Sequence, residues 1–243
     1  MKQLPAIELI KVRKKFNDIT VVSDLNLSVK AGEIYALIGP NGAGKTTTIK
    51  MVTTLIEPSS GEVLILGKNI ANHPEIKGEL GYIPDEPFVY PYLTGKEFLE
   101  FVGDVHGLSR EESQKRIDSL LNKYHLTEVI NGFFSDYSRG NKQKVTIIAA
   151  LMHQPKVLVV DEPIVGLDVE SQRITKKIFR EFADNGGAVL LCTHTLTVAQ
   201  DIADRIGILN QGKLVIEGKI KDLQHLIKKK NADLETIYLD ILE

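Results

Sequence analysis

Three observations predict an α/β fold with a mainly parallel sheet, helices on both faces and an inserted helical block. The apolar run Ile34–Ile38 has strand length and leads through Gly39-Pro-Asn-Gly-Ala-Gly-Lys-Thr46 into a helical pattern. Two more continuous apolar runs, Val157–Val160 and Ala188–Cys192, suit strands buried on both faces, and amphipathic helical patterns follow each. From Thr94 the apolar period is helical for about fifty residues, with no strand signal before Val157.

The elements follow in order. Between Ile7 and Val29 apolar and polar residues alternate, with Leu25, Leu27 and Val29 on one side and Asn26 and Ser28 on the other, as in half-buried antiparallel strands. The helix after Thr46 carries Met51 and Leu55 and is expected to end near Glu57-Pro-Ser-Ser-Gly61. Val63–Leu66 reads as a short strand closed by Gly67, and Gly81-Tyr-Ile-Pro-Asp85 as a strand entering a Pro-bounded loop that reaches Pro91. Thr94-x-x-Glu97 and Ser109-x-x-Glu112 are capping boxes, opening helices that carry Phe98, Phe101, Val102 and Val105, then Ile117, Leu120 and Leu121. Asp168–Ser171 begins a helix with Ile174, Ile178 and Phe182 on one face, stopped at Asn185-Gly-Gly187. A helix through Val198, Ala199 and Ile202 follows, then a strand pair, Arg205–Leu209 and Lys213–Ile216, across a turn at Asn210-Gln-Gly212. The tail has Leu223, Leu226 and Ile227 at helical spacing before the run Lys228–Lys230, which reads as a solvated helix end.

Composition narrows the function classes. The chain of 243 residues has a net charge of −2, so no bulk electrostatic drive toward nucleic acid or anionic lipid exists. A single cysteine, Cys192, excludes an intrachain disulfide and lies inside an apolar run, as a small buried residue would. No signal peptide is visible at Met1-Lys-Gln-Leu-Pro5, and no apolar run approaches the roughly 18 residues of a membrane helix. A cytoplasmic protein is expected, with any membrane role exercised through a partner.

Gly39–Thr46 is a phosphate-binding loop in its strand–loop–helix context. Gly42 and Gly44 let backbone N–H groups approach phosphate oxygens, and the following helix adds positive charge at its N-terminus. Lys45 supplies a full charge to the β- and γ-phosphates, and the Thr46 hydroxyl is a Mg²⁺ ligand. Asp161, at the end of the Val157 strand, is placed to hold that cation, and Glu162 beside it to orient or deprotonate a water. His194 ends another buried strand; a lone strand-end histidine is usually structural, but here it joins a set, where γ-phosphate contact is the functional alternative. The other histidines read as structural. Phe16 is a core aromatic or, with further support, a nucleotide-stacking one.

Taken together these residues resemble the ATP-binding subunits of ABC transporters, and the resemblance covers nearly the whole chain. Its marks stand in the family's order: Gly39–Thr46, the signature Tyr137-Ser-Arg-Gly-Asn141, Val157–Asp161 with Glu162, Gly166-Leu-Asp168, and His194. The resemblance implies a P-loop NTPase (RecA-like) core with an N-terminal antiparallel β subdomain and an inserted α-helical subdomain. On that division, residues 1–84 and 152–220 form the core, 85–151 the helical signature subdomain and 221–243 a C-terminal helical tail. It also implies ATP and Mg²⁺, bound through Phe16, Gly39, Pro40, Asn41, Gly42, Ala43, Gly44, Lys45, Thr46 and Thr47, with Asp161 on the metal. Two subunits, identical or related, would sandwich two ATP molecules head to tail, with Ser138 and Gly140 of one capping the γ-phosphate held by Lys45 of the other. Asp168 matches the loop that contacts the opposite subunit. The partner would be an integral membrane permease, placing the chain on the inner face of the cell membrane.

The chain departs from the family pattern at two sites. The signature commonly reads Leu-Ser-Gly-Gly-Gln, but Arg139 and Asn141 stand at its third and fifth places. Asp85 stands where a glutamine usually reaches toward metal and water, which leaves the metal contact there open. Together with the Leu234–Tyr238 ending, these features resemble exporters of the bacterial ABC-2 and Ecs types. The alternative is a non-transport ABC ATPase acting on a ribosome or another macromolecule, although the long coiled coil or second cassette of such members is absent. Phe88, Tyr90 and Tyr92, in the loop after Asp85, either pack the helical block or receive a permease helix.

Overall fold

The computed structural model describes residues 4–229 and 231–242, so Met1–Gln3 of the Met1–Pro5 reading, Lys230 of the charge run and Glu243 lie outside the described residues. β1 (Ile7–Phe16) and β2 (Ile19–Val29) form an antiparallel hairpin. Leu25, Leu27 and Val29 are buried as the alternation requires, and the Asn26 carboxamide on the other face accepts from the Lys11 amide where β1 bulges. β3 (Ile34–Ile38) is buried along its length and passes through the Gly-rich loop into α1 (Lys45–Val52).

α1 stops earlier than its sequence pattern predicts. The Thr53 hydroxyl turns back to the Ile49 carbonyl, and the amides of Leu55 and Ile56 both reach the Lys50 carbonyl. Thr54 takes φ +60°, which ends the helix and leaves Leu55 exposed. β4 (Ser60–Ile65) begins before Val63 because Arg13 of the long β1 extends the pairing to Ser60; β5 (Lys68–Asn69) completes the order β2-β1-β4-β5.

β6 (Leu80–Ile83) precedes the helical segment α2 (Gly95–Val105), α3 (Arg110–Tyr124) and α4 (Arg139–Met152). Both predicted capping boxes form. α2 is rotated from its expected face: Phe98 and Leu99 are buried while Phe101 and Val105 are exposed, since Gly103 lets the Ser113 side chain of α3 approach closely. The chain then alternates through β7 (Val157–Asp161), α5 (Val169–Asp184), β8 (Ala188–Thr193), α6 (Leu196–Ile202), β9 (Arg205–Asn210) and β10 (Lys213–Gly218). α7 (Ile220–Leu226) and α8 (Leu234–Leu242) follow; Leu234 and Ile237 of α8 are buried and Leu226 is exposed.

The six-stranded sheet runs β10-β9-β3-β8-β7-β6, with only β10 antiparallel. Ala36, Ile38, Val160 and Leu191 on one face share a single apolar cluster with α2–α4, so the helical block is packed onto the sheet. Tyr35, Leu37, Val159 and Leu190 on the other face join the β1–β4 sheet and α1. Each strand buries alternate residues in different clusters, hence the unbroken apolar runs.

β6 meets α4 at Gly81. A Cβ there would stand 2.4 Å from the Ala150 carbonyl oxygen and 2.9 Å from Leu158 Cδ1. Gly81→Ala is therefore expected to lower the unfolding free energy by about 1–3 kcal/mol. Gly78→Ala, with nothing within 4 Å of its Cβ, serves as control. Urea denaturation showing equal stability for the two variants would contradict this packing.

Candidate active site

Parallel pairing sets the site at the C-terminal ends of three neighbouring strands. β8 lies between β3 and β7, with Ile38 opposite Thr193 and Asp161 opposite Cys192. The phosphate loop, the Asp161-Glu162 pair and Thr193-His194 therefore leave the sheet at one level.

In the loop, Gly39 packs so tightly that a Cβ would lie 2.2 Å from the Leu209 carbonyl oxygen. Gly44, at φ +106°, would bring one 2.9 Å from the Val21 carbonyl oxygen. Lys45 folds back over the loop and donates from Nζ to the carbonyls of Gly39 (2.7 Å) and Pro40 (3.2 Å), so its ammonium sits in the loop's concavity. Pro40, Asn41, Gly42 and Ala43 complete the loop, and Ala43 is buried. Thr46 and Thr47 open α1.

Asp161 is buried, and its carboxyl is pushed up to about 6, first by desolvation and further by the charges of Glu162 and Asp85; a hydrogen bond from the Thr46 hydroxyl opposes this. Glu162 has φ +47°, a left-handed conformation that costs energy in a residue with a side chain. Its carboxylate is held by the Thr193 hydroxyl (2.7 Å), the His194 amide (2.6 Å) and His194 Nδ1 (2.7 Å). An ionised carboxylate only accepts, so Nδ1 carries a proton, and the ring is largely exposed. His194 is thus joined directly to Glu162. Cys192 is fully buried and burial drives its thiol pKa well up, leaving it an inert small apolar residue.

Phe16 is not a core aromatic. It ends β1 with the Lys14 ammonium over its ring, and its cross-strand partner Ile19 lies two residues from Val21, which lines Gly44. Ser138 caps α4, accepting from the Asn141 amide at 3.2 Å. Neither Ser138 nor Gly140 bonds to the phosphate loop among the described residues; Gly140 instead faces the Gly166 carbonyl, with 3.0 Å left for a Cβ. Asp168 caps α5 and pairs with Lys144 at 3.3 Å; the bonds from Ser171 and then Lys144 hold its carboxyl down at about 2. Asp85 pairs with Arg139 at 3.6 Å.

Sequence reasoning passed over Thr193 and Gln143. Gln143 is buried and donates from Nε2 to the carbonyls of Pro84 and Pro163, both at 3.4 Å, tying the start of α4 to the loops after β6 and β7. A polar residue on the helical stripe shared by Ile147 and Ala150 was its only signal.

Residues 22–165 match the family described as ABC transporter. The chain belongs to the ABC transporter family. It is 36% identical over 97% of its length to an uncharacterized ABC transporter ATP-binding protein of Methanocaldococcus jannaschii, covering 84% of that protein. It is 33% identical over 91% of its length to the ABC-type transporter ATP-binding protein EcsA of Bacillus subtilis, covering 90% of it. The bacitracin transport ATP-binding protein BcrA of Enterococcus faecalis is 36% identical over 92% of this chain and 72% of its own. Among solved structures, an ATP-binding subunit of an ABC transporter superposes with a TM-score of 0.93 at 33% identity, covering 98% of this chain and all of that one. A dimeric ATP-binding cassette in a post-hydrolysis state with ADP and Pi gives a TM-score of 0.78 at 28% identity, covering 88% of this chain and 98% of that one. The chain is thus an ABC ATPase, an ATP-binding subunit with the P-loop NTPase fold. None of its described helices is long and apolar enough to cross a membrane.

The raised Asp161 carboxyl has a consequence for stability. Its folded pKa lies above the ordinary value of 3.8, so ionisation opposes folding: the penalty is fully present above pH 6 and vanishes as pH falls toward 4. Asp161→Asn is expected to stabilise the cation-free protein by about 1–2 kcal/mol at pH 8, allowing for solvent screening, and by little at pH 4. Thermal melts showing the same gain at both pH values would exclude this origin.

Proposed function

We propose that this ATPase energises an integral membrane permease, and that it does so as one of two ATPase subunits bound head to tail. The observation that carries this reading is the convergence of Lys45, Thr46, Asp161, Glu162 and His194 at adjoining strand ends, while Ser138 caps its own helix and makes no hydrogen bond to the phosphate loop among the described residues. The backbone of Gly39–Thr47 and Lys45 would bind the phosphates of ATP, and Phe16 would stack on the adenine. Thr46 and Asp161 form a set of hard oxygen donors whose carboxylate is costly to keep ionised without a cation, a fit for Mg²⁺, with Asp85 as a further ligand. Mg²⁺ held there would neutralise charge developing on the phosphoryl oxygens.

Glu162 is placed to accept a proton from the attacking water, and His194 orients that carboxylate. Ser138 and Gly140 would complete the site of the opposite subunit; the dimeric ADP-bound cassette supports this arrangement. Relatives named for bacitracin transport and linearmycin resistance support export, and through them a position on the inner membrane face. The division into a core of residues 1–84 and 152–220, a helical block of 85–151 and a tail of 221–243 is proposed on the same basis.

The permease contact would lie along the loop after β6. Phe88, Tyr90 and Tyr92 are exposed, and Tyr90 stands edge-on to Phe88 and Phe101. Beside them a cleft of about 740 Å³ is lined by Tyr82, Pro84, Phe88, Phe98, His106 and His153. Such an aromatic-rimmed cleft suits an amphipathic helix.

Glu162→Gln should retain ATP binding, lose turnover by on the order of a hundredfold or more, and accumulate an ATP-bound dimer. Normal turnover in the purified variant would remove Glu162 from its role. Mixing a Lys45→Ala chain with a Ser138→Arg chain should restore activity, because each mixed dimer has one intact site; mixed dimers without activity would refute composite sites. A cysteine at Val89, in a Cys192→Ser background, should crosslink to the permease in membranes with a yield that changes on adding ATP. Crosslinks from other surfaces but never from this loop would move the contact.

A further inference from the structure

The two places where the sequence departs from its family pattern touch each other. Arg139 Nη2 lies 3.6 Å from Asp85 Oδ1, and both side chains are about half exposed. The stem of Arg139 packs against Gly166, whose φ of +84° favours glycine: a Cβ on that residue would come within 3.3 Å of Arg139 Cδ. One turn on, Gln143 anchors the Pro84 carbonyl from within the core. The loop carrying Asp85 is thus tied to α4 twice, by a part-buried neutral hydrogen bond at Pro84 and by a half-exposed ion pair at Asp85.

Asp85 also borders the proposed cation position. β6 pairs in parallel with β7 so that Ile83 lies opposite Val160, which brings Pro84 level with Asp161 and Asp85 just beyond it. The charge of Asp85 contributes to raising the Asp161 carboxyl, after desolvation and the charge of Glu162. Asp85 therefore stands just past the end of the strand next to that of Asp161, and Arg139 offsets its charge.

The geometry points to Arg139 as a positioning residue that competes with a nucleotide-bound divalent cation for the Asp85 carboxylate. An exposed ion pair without hydrogen-bond geometry is held weakly, and a divalent cation is the stronger competitor for a carboxylate. Release of Arg139 then registers occupancy of the phosphate loop at the start of α4, where Ser138 and Gly140 stand. This inference rests on the assignment of Thr46 and Asp161 as the cation site.

Mn²⁺ binding to the full chain saturated with the non-hydrolysable ATP analogue AMP-PNP, followed by electron paramagnetic resonance, tests it without reference to turnover. Arg139→Gln should bind Mn²⁺ severalfold more tightly, and Arg139→Lys should remain near the unmodified protein. In an Asp85→Asn background the affinity should be lower, and adding Arg139→Gln should change it no further. An Arg139→Gln effect of equal size in both backgrounds would reduce the arginine to a distant charge, and no effect in either would remove the latch while leaving the cation site intact. Failure of the unmodified chain to bind Mn²⁺ at all would overturn the cation assignment as well. Because the pair is half exposed, the variants are expected to fold, which thermal melts verify.

Discussion

The placement of β8 between β3 and β7, parallel to both, is the constraint on which the site depends. Its register sets Thr193 opposite Ile38 and Cys192 opposite Asp161, so three chain segments leave the sheet together. A two-residue slip of β8 would carry Thr193 and His194 away from Glu162 and leave that carboxylate without its donors. Register is secured because these strands are buried on both faces, where a slip exposes apolar side chains and unpairs backbone groups. The fold thus uses ordinary hydrophobic burial to aim polar groups to within hydrogen-bond distance.

At the strand ends this precision is used against the local preference of the chain. Glu162 adopts a left-handed conformation and Asp161 is kept in surroundings that disfavour its charge. Both are costs that a purely structural strand end would avoid, and both make sense where a cation and a phosphate are to be received. Lys45, resting on the carbonyls of its own loop, provides the counterpart positive charge and pairs with no carboxylate among the described residues.

The helical block is joined to this machinery by α4. Its apolar face belongs to the same cluster as the parallel sheet, and its first turns contact the loops after β6 and β7 through Gln143, Arg139 and Lys144. Gln143 is informative because its Oε1 is buried without a partner among the described residues, which is expensive in a well-packed interior. A helix held this way can relay small movements of the loops after β6 and β7 to the end that bears Ser138.

Much of the chain was legible because its signals are local. Capping boxes at Thr94 and Ser109 satisfy helix ends from residues three positions away, and unbroken apolar runs such as Val157–Val160 announce burial on both faces. The phosphate loop was legible for the same reason, since turn, backbone donors and lysine lie within eight residues. The early end of α1 and the rotated face of α2 were not, because carbonyl capping by Leu55 and Ile56 and the room above Gly103 depend on three-dimensional packing. By itself the sequence determined which elements form, which family's motifs they carry and which residue types are available for phosphate and cation. Only the tertiary structure decided that Thr193 and His194 grip Glu162, that Gln143 bridges two loops and that Asp85 faces Arg139. Each of those contacts joins residues at least 20 positions apart, and the only force that selects among such distant pairings is the packing of the whole core.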